Sequence, residues 1–220
     1  MDENHSTDLG FLASVRRDYV RGELREEDLG PDPLPELDRW VARAVELFGL
    51  EGNSMVLATA RADGTPSARV VLLKGRDERG LHFFTDKSSR KGSDLAANPR
   101  AAVVFYWAAI DRQLSVRGTV TPLPAAEAAA YFATRPPGSQ VAATSSHQSA
   151  VLADRGELER RVEEVRAAAG EGPLAMPERW GGYVLFPEEV EFWQGRENRL
   201  HDRILFTRHG DAWRKERLSP

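Results

Sequence analysis

The 220-residue chain contains no cysteine. That excludes disulfides, thiolate nucleophiles and cysteine-ligated zinc or iron–sulfur centres, and it fits a reducing compartment. Long apolar runs are missing too. The longest, Ala101 to Ile110, is too short to span a bilayer and ends at Asp111. The start, M-D-E-N-H-S-T-D, is acidic and polar and does not read as a secretory signal. A cytoplasmic protein with no membrane partner is the expectation. There is no excess of positive charge: 30 Lys and Arg face 34 Asp and Glu, for a net charge of −4. Nothing in that balance calls for nucleic acid, and any anion site must be a local basic cluster on a mildly acidic body. No G-x-G-x-x-G follows a strand, and P-loop, G-x-S-x-G and H-E-x-x-H patterns are absent. His5, His82, His147, His201 and His209 are scattered without metal-like spacing. Hydrolase and metalloenzyme readings have little support.

What is present is a soluble globular composition, 41% hydrophobic and 29% charged. Residues 1–20 are expected to be a mobile segment, with a short helix over Leu9 to Tyr19, and residues 21–220 a single domain. Gly22 to Pro35 reads as an extended connector. Pro35 to Phe48 places Leu37, Trp40, Val41, Ala44, Val45 and Leu47 at helical spacing. Strand patterns follow at Ser54–Ala60, Ala68–Lys74, Leu81–Thr85, Arg100–Trp107 and Gln113–Thr121, with a short helix opening at Ser88-Ser89-Arg90-Lys91. Helices are expected over Pro124–Thr134, on to about Thr144, and over Asp154–Ala169. The strands Tyr183–Phe186, Glu191–Gln194, Ile204–Arg208 and Trp213–Leu218 close the chain. Hairpin signals between the strands point to an antiparallel meander rather than βαβ alternation. The fold class is therefore mainly β with inserted helices (α+β), with about eight strands in a closed or partly closed barrel.

Glu191 to Arg203 carries the strongest chemical signal. It leaves a strand at Gly195 and gathers Arg196, Arg199, His201 and Arg203 behind Phe192 and Trp193. Aromatic faces beside guanidinium forks suit a flat, anionic ligand. The bland alternative is an edge strand with a solvated charged turn. Basic residues at the start of a helix add to its electropositive N-terminus and suit a phosphate, although a solvated helix start reads equally well for Arg90 and Lys91.

The string W-Q-G-x-x-x-R-L-H-D-R resembles the C-terminal signature of the pyridoxine/pyridoxamine 5′-phosphate oxidases. R-V-V-L-L-K (69–74), F-T (84–85), S-R-K (89–91), R-Q (112–113), Y-F-A-T-R-P (131–136), G-S-Q (138–140) and H-Q-S (147–149) are similar to that family's blocks, in the family's order. The ending R-L-S-P has Ser219 where the family more often has Ala, and Ala150 stands where many relatives carry a polar residue.

The resemblance implies an FMN-binding split β-barrel that works as a homodimer with FMN at the subunit interface. It implies oxidation of pyridoxine and pyridoxamine 5′-phosphates to pyridoxal 5′-phosphate, with O2 as reoxidant giving H2O2. By the matching blocks, FMN is held by Arg69, Val70, Val71, Leu72, Leu73, Lys74, Phe84, Thr85, Arg90, Lys91, Gln113, Gln148, Ser149, Trp193 and Arg203. The substrate phosphate falls to Lys74, Tyr131, Arg135 and Ser139. Arg199 and His201, with Leu200 between them, lie over the pyridine ring and its reacting carbon as the catalytic pair. Arg16, Arg17 and Tyr19 resemble a lid segment. Two alternatives stay open: a split-barrel reductase using FMN or a deazaflavin on another substrate, and a flavin or vitamin carrier without turnover.

Overall fold

The structure, a computed structural model, describes residues 14, 18–169 and 174–220. The expected helix over Leu9–Tyr19 and most of the expected mobile segment lie outside the described residues.

Helix α1 (Leu34–Phe48) starts where Pro residues fix the first turn, and it ends at Gly49, whose φ of 59° suits glycine. It buries Leu37, Trp40 and Ala44. Val45 and Leu47, expected on the same face, are exposed. Strands β1 (Ser54–Ala60) and β2 (Pro66–Leu72) form a hairpin whose tight turn is held by Asp63 Oδ1 accepting from Thr65 N at 2.9 Å. Next come β3 (Gly75–Asp77), β4 (Gly80–Asp86), α2 (Arg90–Ala97), β5 (Arg100–Trp107) and β6 (Arg112–Pro122). Helices α3 (Ala125–Ala133), α4 (Pro137–Ser145) and α5 (Arg155–Ala169) precede β7 (Trp180–Gln194), β8 (Asp202–His209) and β9 (Ala212–Arg217).

Among the described residues, all nine strands join one antiparallel sheet in the order β2-β1-β5-β6-β7-β4-β3, with β8 also paired to β7 and β9 to β8. The sheet is not closed, so the barrel is split. Alternation of side chains sends Met55, Leu57, Phe83, Val103, Phe105, Leu114, Val116, Leu185, Phe192, Ile204 and Phe206 inward, each fully buried. Burial of each Leu or Phe stabilises by about 1.5–3 kcal/mol. Trp40 of α1 closes the core by meeting Phe192 edge-on at 5.0 Å.

Two elements differ from the sequence expectation. The residues before the Asp77–Gly80 turn form the short strand β3, too brief and polar to carry a periodic signal. The two strands expected at Tyr183–Phe186 and Glu191–Gln194 are one, β7, of 15 residues. Its first half pairs with β4 and its second half with β8, while β6 runs beside nearly all of it. Pro187 lacks an N–H and suggests a break, yet the chain passes through it with a bulge. Arg117 faces Glu189 and Gly118 faces Pro187, leaving Glu188 as the extra residue.

Candidate active site

A cavity of about 1060 Å³ opens between β2, the end of β4, the start of α2 and the corner joining α3 to α4. Five basic residues line it (Arg69, Lys74, Arg90, Lys91 and Arg135) against one acid, Asp86. On a chain of net charge −4 that is a strong local reversal.

The acid does not neutralise the cleft, because its oxygens are already committed. Asp86 Oδ1 accepts from Ser88 N at 2.7 Å, and Oδ2 accepts from Gln148 N at 3.4 Å and faces Arg179 Nε at 3.2 Å. Arg179 also donates to the carbonyls of Ala143, Thr144 and Ser146. Asp86 and Arg179 together hold the last turn of α4 and the 146–149 loop against the mouth of the cleft. In that loop Ser149 takes a φ of 73°, uncommon for a residue with a side chain, and its Oγ accepts from Arg90 N at 3.2 Å.

Lys91 sits in the first turn of α2, behind the N-cap Ser89, and only 6% of it is exposed. Its ammonium donates to Gln148 Oε1 at 2.6 Å, Thr85 Oγ1 at 3.1 Å and Ser89 Oγ at 3.3 Å, all neutral acceptors. Burial, aided by repulsion from Arg69 and opposed by Asp86, pushes it down to about 8. Arg69 donates to Leu57 O at 3.1 Å and Thr59 Oγ1 at 2.8 Å, and lies 3.8 Å from Asp94.

The other wall is aromatic. Phe84 and Tyr131 stack with centroids 3.9 Å apart, and Trp180 lies nearly parallel to Phe84 at 5.5 Å. Gly182, opposite Phe84 in the β4–β7 pairing, leaves room for this: a Cβ there would come within 2.6 Å of the Phe84 ring. Arg135 places its guanidinium over Trp180 at 5.0 Å, and its Nη1 is buried without a hydrogen-bond partner. A buried guanidinium nitrogen left unpaired is costly, and an anion in the cleft would satisfy it. Burial lowers the Arg135 value and raises that of Tyr131.

A second cluster lies at the far end of β7. Trp193 packs against His201 at 4.7 Å, and Tyr19 stands edge-on to both, at 5.7 and 5.2 Å. Gln113, Trp193 and Arg203 are cross-strand neighbours on one face of β6, β7 and β8. Arg203 Nε donates to Glu191 at 2.7 Å. In the 196–201 loop Asn198 and Arg199 have φ of 55° and 62°, and Arg196 N donates to His201 Nδ1 at 3.1 Å. That bond requires a bare Nδ1, so the imidazole is neutral with its proton on Nε2. Burial and then Arg199 lower the His201 value, with Asp202 opposing.

The profile of the family described as pyridoxamine 5′-phosphate oxidase matches residues 42–169. The profile of the pyridoxine 5′-phosphate oxidase C-terminal dimerisation region matches residues 180–220. The chain belongs to the pyridoxamine 5′-phosphate oxidase family. Among curated relatives, the pyridoxine/pyridoxamine 5′-phosphate oxidase of Cupriavidus necator is 53% identical over 95% of this chain and 99% of its own length. That of Rubrobacter xylanophilus is 50% identical over 95% and 96%. Among solved structures, PhzG from Burkholderia lata, in complex with tetrahydrophenazine-1-carboxylic acid, is 34% identical with a TM-score of 0.84, covering 90% of this chain and 98% of that one. A pyridoxamine 5′-phosphate oxidase-related, FMN binding protein from Nostoc punctiforme is 18% identical with a TM-score of 0.69 over 86% and 98%, which shows a shared fold.

Within this family member, the cleft gathers Arg69, Val70, Val71, Leu72, Lys74, Phe84, Thr85, Arg90, Lys91, Tyr131, Arg135, Ser139, Gln148 and Ser149 from the residues expected at the site. Leu73 points into the core instead. Gln113, Trp193, Arg199, Leu200, His201, Arg203 and Tyr19 lie in or beside the second cluster, and none lines the cleft. Arg16 and Arg17 fall outside the described residues. The sequence reading missed Trp180, Asp86 and Arg179. The pair Gly181-Gly182 after Trp180 was the available signal for the first, since a strand with two glycines implies a close ring. Nothing local marks Asp86 and Arg179, whose pairing joins distant segments.

Proposed function

We propose that the chain oxidises pyridoxine and pyridoxamine 5′-phosphates to pyridoxal 5′-phosphate with FMN as cofactor, and that it does so as a homodimer with FMN at the subunit interface. The observation that carries this reading is the cleft: five basic residues around one committed acid, with the Arg135 Nη1 unpaired beside stacked rings. These donors fit a phosphorylated planar cofactor, and the names of relatives about 50% identical supply the reaction. When bound, FMN supplies the two-electron acceptor chemistry, with O2 as reoxidant.

The residues divide the work. Arg69, Arg90 and Lys91, with Thr85, Gln148 and Ser149, hold the cofactor phosphate at the N-terminus of α2. Lys74, Tyr131, Arg135 and Ser139 hold the substrate phosphate. Fixing both esters would orient cofactor and substrate for the reaction, worth up to roughly 7–11 kcal/mol of barrier in favourable cases. Arg199 and His201 cover the substrate ring. With Nδ1 occupied by the Arg196 amide, His201 presents Nε2–H and acts as a donor toward the substrate's oxygen or nitrogen. Gln113, Trp193 and Arg203 complete the flavin site.

The dimer explains the distance between the two clusters. Trp180 and Trp193 stand near opposite ends of β7, which at about 3.3 Å per residue separates them by up to about 40 Å along the strand. The second cluster of one subunit would complete the cleft of its partner. Val56, Val70 and Tyr106 are exposed on the sheet and offer apolar area for that contact. In this reading residues 21–220 act as one FMN-binding domain, and Tyr19 stands beside the second cluster.

The test is the absorbance spectrum of purified protein before and after anaerobic addition of pyridoxine 5′-phosphate, followed by oxygen consumption and peroxide release. A flavin spectrum that bleaches with substrate and recovers in air supports the reading. Protein that stays colourless after incubation with FMN overturns it.

A further inference from the structure

We propose that Asp202 is a positioning residue for this reaction: its carboxylate ties the N-terminal strap carrying Tyr19 to the loop carrying His201, so that the two rings form one surface. The proposal rests on reading the Tyr19–Trp193–His201 cluster as substrate-facing.

Asp202 opens β8, opposite Gln194 at the end of β7, and the sheet therefore fixes its backbone. Its two oxygens reach three segments. Oδ2 accepts from Leu24 N at 3.0 Å and lies 3.3 Å from Arg196 Nη1. Oδ1 accepts from Arg217 Nη1 at 2.7 Å. Arg217 also donates to Leu24 O at 3.0 Å and to both oxygens of Glu26. Arg196 reaches Glu23 at 3.2 Å. Both polar backbone groups of Leu24 are thus bound within one network centred on Asp202.

The network ends on the rings. The same Arg196 whose side chain meets Asp202 donates its backbone N–H to His201 Nδ1. Tyr19, five residues before Leu24, lies over Gly195, where a Cβ would come within 2.6 to 2.8 Å of its ring atoms. Gly195 therefore lets the strap sit down on the loop, and Asp202 holds it there. The loop is backbone-strained at Arg199, which has a φ of 62°, and a strained loop needs outside fixation to keep one geometry. Hydrogen bonds to a carboxylate supply that fixation more strongly than neutral ones.

The experiment uses the FMN-loaded full chain and Asp202→Asn, Tyr19→Ala and the double variant. Asp202→Asn is expected to raise KM for pyridoxine 5′-phosphate by roughly tenfold, the loss of one hydrogen bond to a charged group. Because Asp202 acts through Tyr19, the double variant should have nearly the KM of Tyr19→Ala alone. An unchanged KM in Asp202→Asn, or KM increases that multiply, overturns the proposal. Nitrogen NMR of His201 provides a readout that a merely structural role would not move: Nε2–H alone in the parent and mixed tautomers in Asp202→Asn. Should Asp202→Asn fail to fold, amide exchange of the parent decides. Leu24 and Arg196 opening together supports the tie, and independent opening overturns it. A parent that binds FMN but leaves pyridoxine 5′-phosphate untouched refutes the proposed function instead, whatever the exchange data show.

Discussion

Trp180 and Trp193 belong to the same strand, yet the first walls the basic cleft and the second packs against His201. If the clusters meet only across a two-fold interface, each subunit donates one half of two sites. Two variants defective in different halves should then complement. Arg135→Glu spoils the cleft and Arg199→Met spoils the loop. Co-refolded in equal amounts, they should regain about one quarter of parental activity, since half the dimers are mixed and each mixed dimer has one intact site. Activity no higher than the sum of the separate variants would place both halves of a site in one subunit.

Arg199→Met should impair turnover far more than FMN retention. Arg199 lies outside the basic cleft proposed to hold the cofactor phosphate, so the flavin absorbance of purified protein should match the parent while kcat falls. Parental turnover in this variant would remove Arg199 from the substrate ring.

Arg135→Ala should mainly raise KM for the phosphorylated substrate. Its unpaired Nη1 is a donor awaiting an anion, and a hydrogen bond to a charged group is worth roughly 1.5–3 kcal/mol. Steady-state kinetics at varied substrate concentration give the answer, and an unchanged KM would take Arg135 out of the phosphate clamp.

Lys91 makes two opposite pH trends. Its ammonium is held at about 8 in the folded chain, against an ordinary 10.5. A phosphate dianion binds the charged form, so FMN affinity, read by flavin fluorescence quenching, should fall as pH rises above about 8. The slope should approach about tenfold per pH unit, the uptake of one proton on binding. Stability of the apoprotein should move the other way. Between the two values the unfolded chain holds a proton that the folded chain does not, so denaturant midpoints should rise with pH across that window. Lys91→Met should flatten both trends. Trends that persist in that variant would assign the proton elsewhere.

Much of this was legible in the sequence because it is local. Ser54–Ala60 and Arg100–Trp107 are short, mostly apolar runs, and their strands begin and end where the runs do. The basic residues of the cleft were legible as short blocks, and the family resemblance gathered them before any geometry did. What escaped depends on long-range contacts. The continuity of β7 through Pro187 is set by its neighbours β6, β4 and β8, and no local pattern overrides a proline. Asp86 and Arg179 were invisible for the same reason, and Asp202, although inside the R-L-H-D-R string, gave no sign of its bond to Leu24 from far away in the chain. The inward turn of Leu73 follows from strand phase, since it alternates with Leu72 and Lys74, which line the cleft.

The single extra residue at Glu188 acts as a phase shifter. Before it, odd-numbered side chains such as Tyr183 and Leu185 face inward; after it, even-numbered ones such as Val190 and Phe192 do. Because the bulge takes up Glu188, losing that residue would leave a regular ladder with Val190 and Phe192 still inward, whereas one further inserted residue, with no second bulge to absorb it, would turn Trp193 toward the interior and Phe192 out to solvent. Single-residue insertions between these two tryptophans are therefore expected to be far less tolerated than substitutions or the loss of Glu188.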